Sequence, residues 1–125
     1  MIKSVLVIAI HELAIKKYGG LLGIRDSNGL ASAITRPLMT FDQHELYPTP
    51  VLKAAALIES LIKNHPFLDG NKRIGYVMMR FFLLQHKMDI KATQSEKYDF
   101  VMSIANGQVE IDQINAWIER ESFHF

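Results

Sequence analysis

No cysteine occurs among the 125 residues, which excludes disulfide staples and thiolate chemistry and suits a reducing compartment. Neither sign of charge is in excess. A net charge of +1 and a pI of about 8.0 leave no broad basic field for nucleic acid and no acidic tail for a cationic partner. Direct nucleic-acid binding is therefore not expected. Long apolar runs are missing as well: the N-terminal run Val5 to Ile10 is broken by His11 and Glu12, is too short to span a membrane, and lacks a signal peptide's cleavage pattern. A soluble, cytoplasmic protein with no membrane partner is expected. Alternating strand-like segments are scarce, and no repeat, low-complexity stretch or linker divides the chain. With 49% hydrophobic residues, the length suffices for one domain, residues 1–125, around one core.

What the chain does have is helical spacing of apolar residues in nearly every segment, so an all-α bundle of about six helices is expected. The first should run from about Ser4 to Lys17 and stop at Gly19-Gly20, with Leu6, Ile10, Leu13 and Ala14 on one face. Its Val and Ile content leaves a strand open over Val5 to Ile10. A second helix covers Gly29 to Thr35, with Asp26, Ser27 and Asn28 as cap candidates and Pro37 beyond its end. Leu38 to Pro50 has no helical period and reads as a surface loop or small hairpin. Pro50 to Asn64 reads as a central helix, buried on most sides, and Asn71 to His86 as its successor. Thr93 with Glu96 forms a capping box for a fifth helix ending near Asn106-Gly107, and Asp112 is the expected cap of a sixth, carrying Ile114, Trp117 and Ile118.

Between the third and fourth helices lies His65-Pro66-Phe67-Leu68-Asp69-Gly70-Asn71-Lys72-Arg73. A loop running into a helix N-terminus presents unpaired N–H groups and partial positive charge, which suits an anion such as phosphate. His65 is the side chain best placed to accept a proton near neutral pH, and Asp69 can coordinate Mg²⁺ with a substrate phosphate completing the shell. Gly70 permits close backbone approach, Asn71 adds an amide, and Lys72 and Arg73 supply charge, the arginine as a two-pronged clamp. Phe67 is read as core that anchors the loop. Singly, each residue has an ordinary reading: turn dipeptides, a helix-end histidine, surface charge. The combination describes phosphate handling beside a proton acceptor.

This stretch resembles the signature of the Fic/Doc family, His-x-Phe-x-Asp/Glu-Gly/Ala-Asn-Gly/Lys-Arg, and matches it at every defined position. The likeness extends to His11-Glu12, Tyr18-Gly19-Gly20, Gly23 to Asp26, Ala33 to Pro37, Leu46-Tyr47-Pro48 and the helix Lys53 to Asn64, and is closest to the short Doc-like toxins. It implies the Fic fold, with a flap before the central helix that aligns a target segment by strand-like pairing, so that part of Leu38 to Tyr47 meets the substrate. It also implies roles. His65 would deprotonate a target hydroxyl, Asp69 would hold Mg²⁺, Gly70 and Asn71 would cradle the anion, Arg73 would hold the phosphate next to the one attacked, and Phe67 would stay structural.

Two departures bear on the reaction. Members that transfer an adenylyl group usually have Gly where this chain has Lys72, and a second Arg where it has Tyr76. A long cation in the cradle and a missing phosphate clamp change how a nucleotide sits. The Doc-like branch shares the lysine, and the resemblance therefore implies a protein kinase that takes ATP in a reversed orientation and passes its γ-phosphate to elongation factor Tu, halting translation. Lys63 stands where that branch has a nucleotide-binding Arg, and Val77 replaces a further polar contact. His11 and Glu12 read as structural hydrogen-bonding residues. No Ser/Thr-x-x-x-Glu-Gly/Asn segment restrains the site in cis, so an antitoxin acting in trans is expected. Adenylyl or other nucleotidyl transfer, and a catalytically idle partner-binding or operon-regulating domain, are the alternatives.

Overall fold

A computed structural model describes residues 2–125. Six helices carry the fold: α1 (Ser4–Tyr18), α2 (Ser27–Thr35), α3 (Pro50–Lys63), α4 (Asn71–Gln85), α5 (Gln94–Ala105) and α6 (Ile111–Glu121). A 3₁₀ turn, Arg36–Leu38, follows α2. Two small antiparallel pairs complete it, β1 (Thr40–Phe41) with β2 (His44–Glu45) and β3 (Met88–Ile90) with β4 (Ser122–His124). Among the described residues no helix is long and apolar enough to cross a membrane.

The central helix is α3, as its composition suggested: every residue from Ala54 to Ile62 is buried, and α2, α4, α5 and α6 all pack against it. Thr49 caps it by accepting the Leu52 N–H at 3.1 Å, and Pro50 sits in the first turn, where a missing donor costs nothing. One core cluster draws Val7, Leu30, Leu57, Met78, Ile104 and Ile118 from the six helices in turn. At Gly75, α4 packs so tightly on α3 that an added Cβ would lie 2.9 Å from Ile62 Cγ1. Gly75→Ala is accordingly expected to destabilise. Overpacking costs about 1–3 kcal/mol and outweighs a helix-propensity gain of about 1 kcal/mol. Thermal melting should fall by roughly 4 °C, and an unchanged or higher midpoint would show that Ile62 simply gives way.

Three expectations need correction. On α1, Leu6 and Ile10 pack half-buried against the core, but Leu13 is 66% exposed and the fully buried positions are Val7 and His11. The run Val5 to Ile10 is apolar on all sides, so its period cannot specify a face. The strand left open there does not form. On α6 the N-cap is Glu110, whose N–H donates to Gln113 Oε1 at 2.8 Å, and Asp112 lies inside the first turn. The β3–β4 pair was unforeseen: three residues are too few for an alternation signal, and the partners lie far apart in sequence. Arg80 fastens β3 to α4 through a two-pronged contact with Asp89 at 2.7 and 2.9 Å.

The segment before α3 is a hairpin, as one of its two readings had it. Thr40 pairs with Glu45 and Phe41 with His44, and the two turn residues, Asp42 and Gln43, both have positive φ, 50° and 67°. That is the turn whose twist suits a two-residue hairpin. Its base is tied down by side chains. Lys53 pairs with Glu45 at 2.8 Å and bonds the Tyr47 carbonyl, while Arg36 donates to Tyr47 Oη at 2.9 Å and to Glu59 at 2.7 Å. The tip stays in solvent, with Phe41 75% exposed.

Candidate active site

The loop between α3 and α4 owes its shape to a second segment. The Arg25 guanidinium donates to the His65 carbonyl at 2.7 Å and the Asn64 carbonyl at 2.9 Å, satisfying acceptors that the end of α3 leaves open. The Pro66 carbonyl accepts the N–H groups of Arg25 and Asp26, and Leu68 N–H donates to the Gly23 carbonyl at 3.0 Å. Ile24 and Phe67 pair across this junction as a β-bridge. Residues 23–26 thus act as a strand-like splint along residues 66–68.

Phe67 is 1% exposed and stacks on His11, ring centroids 3.8 Å apart and planes 9° from parallel. Its backbone is held by Asn71: the Asn71 Oδ1 accepts the Phe67 N–H at 3.0 Å and the Asn71 Nδ2 donates to the Phe67 carbonyl at 2.9 Å. At 4% exposure, that amide is a buried substitute for a neighbouring strand. The resemblance assigned it to an anion cradle. In the structure its side chain is turned inward, and the part of residue 71 at the helix start is its N–H.

Asp69 is exposed, and its carboxylate is nonetheless ordered. Its Oδ2 accepts the Leu21 N–H at 3.1 Å and its Oδ1 the Gly70 N–H at 2.8 Å. These two donors, with Arg73 and His11 nearby, hold its pKa below the ordinary carboxylate value. Gly20 has to be glycine here, because with φ +113° an added Cβ would sit 2.7 Å from Asp69 Oδ2. Gly70, with φ 77°, forms the left-handed N-cap of α4.

The carboxylates Asp69, Asp89 and Glu96 are all held low, by the Leu21 N–H, by Arg80 and by the Thr93 N–H respectively. A depressed folded pKa contributes stability that is present above the unfolded value, about 4, and is lost as pH falls through the folded value. The melting midpoint should therefore decline below about pH 4, and Asp89→Asn should make that decline shallower. An equal slope in the variant would remove the Arg80 pair from the account.

A cleft of about 510 Å³ collects Lys63, His65, Asp69, Gly70, Asn71 and Lys72 on one side and faces Met102 and Ala105 of α5 and its C-cap Asn106 on the other. His65 is exposed at this cleft with φ 52°. Lys63 lies 3.5 Å from the buried Glu59, which also holds Arg36. Arg73 is the one sequence-identified polar residue placed elsewhere: it lies over the Tyr18 ring, 4.4 Å from its centre, in a neighbouring groove of about 440 Å³ shared with Lys72, Tyr76 and Lys97. Tyr76 Oη is buried there without a hydrogen-bond partner, and burial pushes its pKa up to about 12. Among the described residues no group of three His, Cys, Asp or Glu could hold a metal ion. Asp69 alone suits Mg²⁺, which keeps most of its shell as water and substrate phosphate.

Arg25, Gly20 and the Leu21 N–H carry much of this geometry, and none was given that role from the sequence, where Gly20 was read only as part of a helix stop. Gly20 and Arg25 fall within the wider likeness at Tyr18-Gly19-Gly20 and Gly23 to Asp26, and Leu21 lies between the two stretches. His11 does make the structural hydrogen bond expected of it, from Nε2 to the Asp69 carbonyl at 2.7 Å.

The family model described as Fic/DOC family matches residues 2–83, α1 through most of α4 and hence the whole cleft loop. The chain belongs to the Fic/Doc family. It is 35% identical over 103 residues to Toxin Doc of Mycolicibacterium smegmatis (strain ATCC 700084 / mc(2)155), covering 79% of this chain and 78% of that one. It is 25% identical over 114 residues to Protein kinase doc of Escherichia phage P1, covering 91% and 89%. The all-helical architecture is that of a Fic fold, and the β1–β2 hairpin occupies the place of the Fic/Doc flap.

Proposed function

We propose that this protein is a Doc-type toxin that transfers the γ-phosphate of ATP to a hydroxyl side chain of a host protein. The observation that carries the reading is the convergence of Lys63, His65, Asp69, Gly70 and Lys72 on one cleft at the start of α4. His65 takes the proton of the attacking Ser or Thr hydroxyl. That oxygen bonds to the γ-phosphorus as the bond from phosphorus to the β–γ bridging oxygen breaks, and ADP departs with that electron pair. Mg²⁺, held by Asp69 together with the phosphates, would neutralise charge on the nucleotide. The first N–H groups of α4, Gly70 and Lys72 face the phosphates, with Lys63 at the cleft's edge. Arg73, across Lys72, reaches the nucleotide from the neighbouring groove. Phe67 works only from beneath.

Phosphoryl rather than adenylyl transfer is favoured by residues 72 and 76. Lys72 forms the wall between the two cavities, and Tyr76, neutral through the physiological range, offers no phosphate clamp where adenylyl-transferring members have an arginine. The likeness to a Doc toxin and to a protein kinase supports the same choice. The β1–β2 hairpin leaves its backbone available to pair with a target strand. Elongation factor Tu in the cytoplasm is the target we propose, with translation arrested as a result, and a cognate antitoxin covers the cleft in trans.

The test is incubation of the protein with host lysate and ATP labelled at either the α or the γ phosphate. Label from γ alone, on a protein the size of elongation factor Tu, is expected. Label from α alone would replace this reading with nucleotidyl transfer, and none from either would leave a partner-binding domain. Lys72→Gly is expected to lower γ-transfer at least about tenfold by removing a charged phosphate contact and to open the cradle to α-transfer. Full γ-transfer in that variant would remove Lys72 from the mechanism.

A further inference from the structure

The geometry points to His11 as a positioning residue that sets the direction of the Asp69 carboxylate from below. This inference rests on the reading of Asp69 as the metal-holding group. His11 is 2% exposed and projects from α1, a rigid element, into the underside of the loop. One ring meets three residues of the motif. It stacks on Phe67, its Nε2 lies 2.7 Å from the Asp69 carbonyl, and a Cβ added to Gly70 would come within 3.4 Å of that same nitrogen. A carbonyl oxygen only accepts, so Nε2 carries a proton and donates.

That bond reaches the carboxylate through a single peptide plane. The Asp69 carbonyl and the Gly70 N–H belong to one peptide unit, which is planar, so fixing the carbonyl fixes where the N–H points. It points at Asp69 Oδ1, 2.8 Å away, and the other oxygen is fixed by Leu21 N–H. His11 therefore orients the carboxylate without touching it. Each oxygen keeps a lone pair for a cation. Removing the donor while keeping the ring should release the peptide plane, then the carboxylate, with the core unaffected.

The experiment compares the whole protein with His11→Phe, which keeps the stack and loses the donor, and His11→Gln, whose amide N–H has similar reach. Amide hydrogen exchange is followed at Gly70 and Leu21, the two donors to Asp69, and at Leu57 and Leu61 in α3. In His11→Phe the first pair should exchange about tenfold faster, the value of one net hydrogen bond, with the second pair unchanged. The half-saturating Mn²⁺ concentration for binding in the presence of ATP should rise by about the same factor. His11→Gln should bring both back to within about threefold of the parent protein. If His11→Phe fails to fold, His11→Met replaces it as the donor-free variant.

Unchanged exchange at Gly70 and Leu21 would overturn the inference. So would a uniform rise that includes Leu57 and Leu61, which would make His11 a core residue and nothing more. Absence of ATP-dependent Mn²⁺ binding in the parent protein would instead count against the proposed function, and the exchange comparison would still decide whether His11 positions Asp69.

Discussion

Replacing His65 by Asn should lower transfer of labelled phosphate by about 10²–10⁴-fold, the range of a lost general base, with the fold intact. Asparagine is the informative choice because His65 has φ 52°. A left-handed backbone strains alanine and is tolerated by Asn, so an alanine variant would mix lost chemistry with added strain. Among the described residues the exposed His65 side chain makes no hydrogen bond, and its carbonyl, which does, survives the substitution. Thermal melting should therefore shift by no more than about 0.5 kcal/mol in stability. Binding of ATP should also persist, which separates a missing base from a missing site. A His65→Asn protein that transfers phosphate at the parent rate would remove the proton-acceptor role and with it the proposed mechanism.

The second large effect is expected at Asn71, and in stability as much as in activity. Asn71→Ala leaves the Phe67 N–H and the Phe67 carbonyl, now bonded at 3.0 and 2.9 Å, without partners in a buried site. Each unsatisfied backbone group costs about 1–3 kcal/mol, so the variant should lose about 2–5 kcal/mol, a large share of the roughly 5–15 kcal/mol that holds a domain together. The melting midpoint should drop by roughly 10 °C, and transfer should fail because the loop loses its inner brace. An Asn71 that served only as a phosphate ligand would give the opposite pattern: activity lost, melting unchanged. Differential scanning calorimetry beside the label assay distinguishes the two.

These two residues also show how far the sequence could be read. The six helices were legible because most of their starts and stops are chemically explicit: Pro50 at the start of α3, Thr93 with Glu96 before α5, Gly19-Gly20 after α1. The loop's importance was legible because so many phosphate-competent groups fall within nine positions. Orientation was not. Asn71 has the same amide whether it faces a nucleotide or the Phe67 backbone, and only packing decides which. Arg73 was read as part of the same cluster as Lys72, yet it lies over Tyr18 in the next groove, because successive residues on a helix point about 100° apart. The face of α1 was read in part, Leu6 and Ile10 correctly and Leu13 not, because an all-apolar run offers little contrast; the buried polar residue His11 marks the inner face.

The contacts that shape the motif join parts of the chain that are remote in sequence: Arg25 reaches His65 across 40 positions, Leu21 reaches Asp69 across 48, and His11 reaches Asp69 across 58. Contacts of such span carry the entropy cost of closing long loops, and the rest of the core has to offset it. A partly unfolded chain can hold all nine residues of the motif in order and still lack the loop's shape. That shape belongs to the finished fold, so substitutions in three remote segments, at His11, Leu21 and Arg25, are expected to disturb the motif without changing any of its residues.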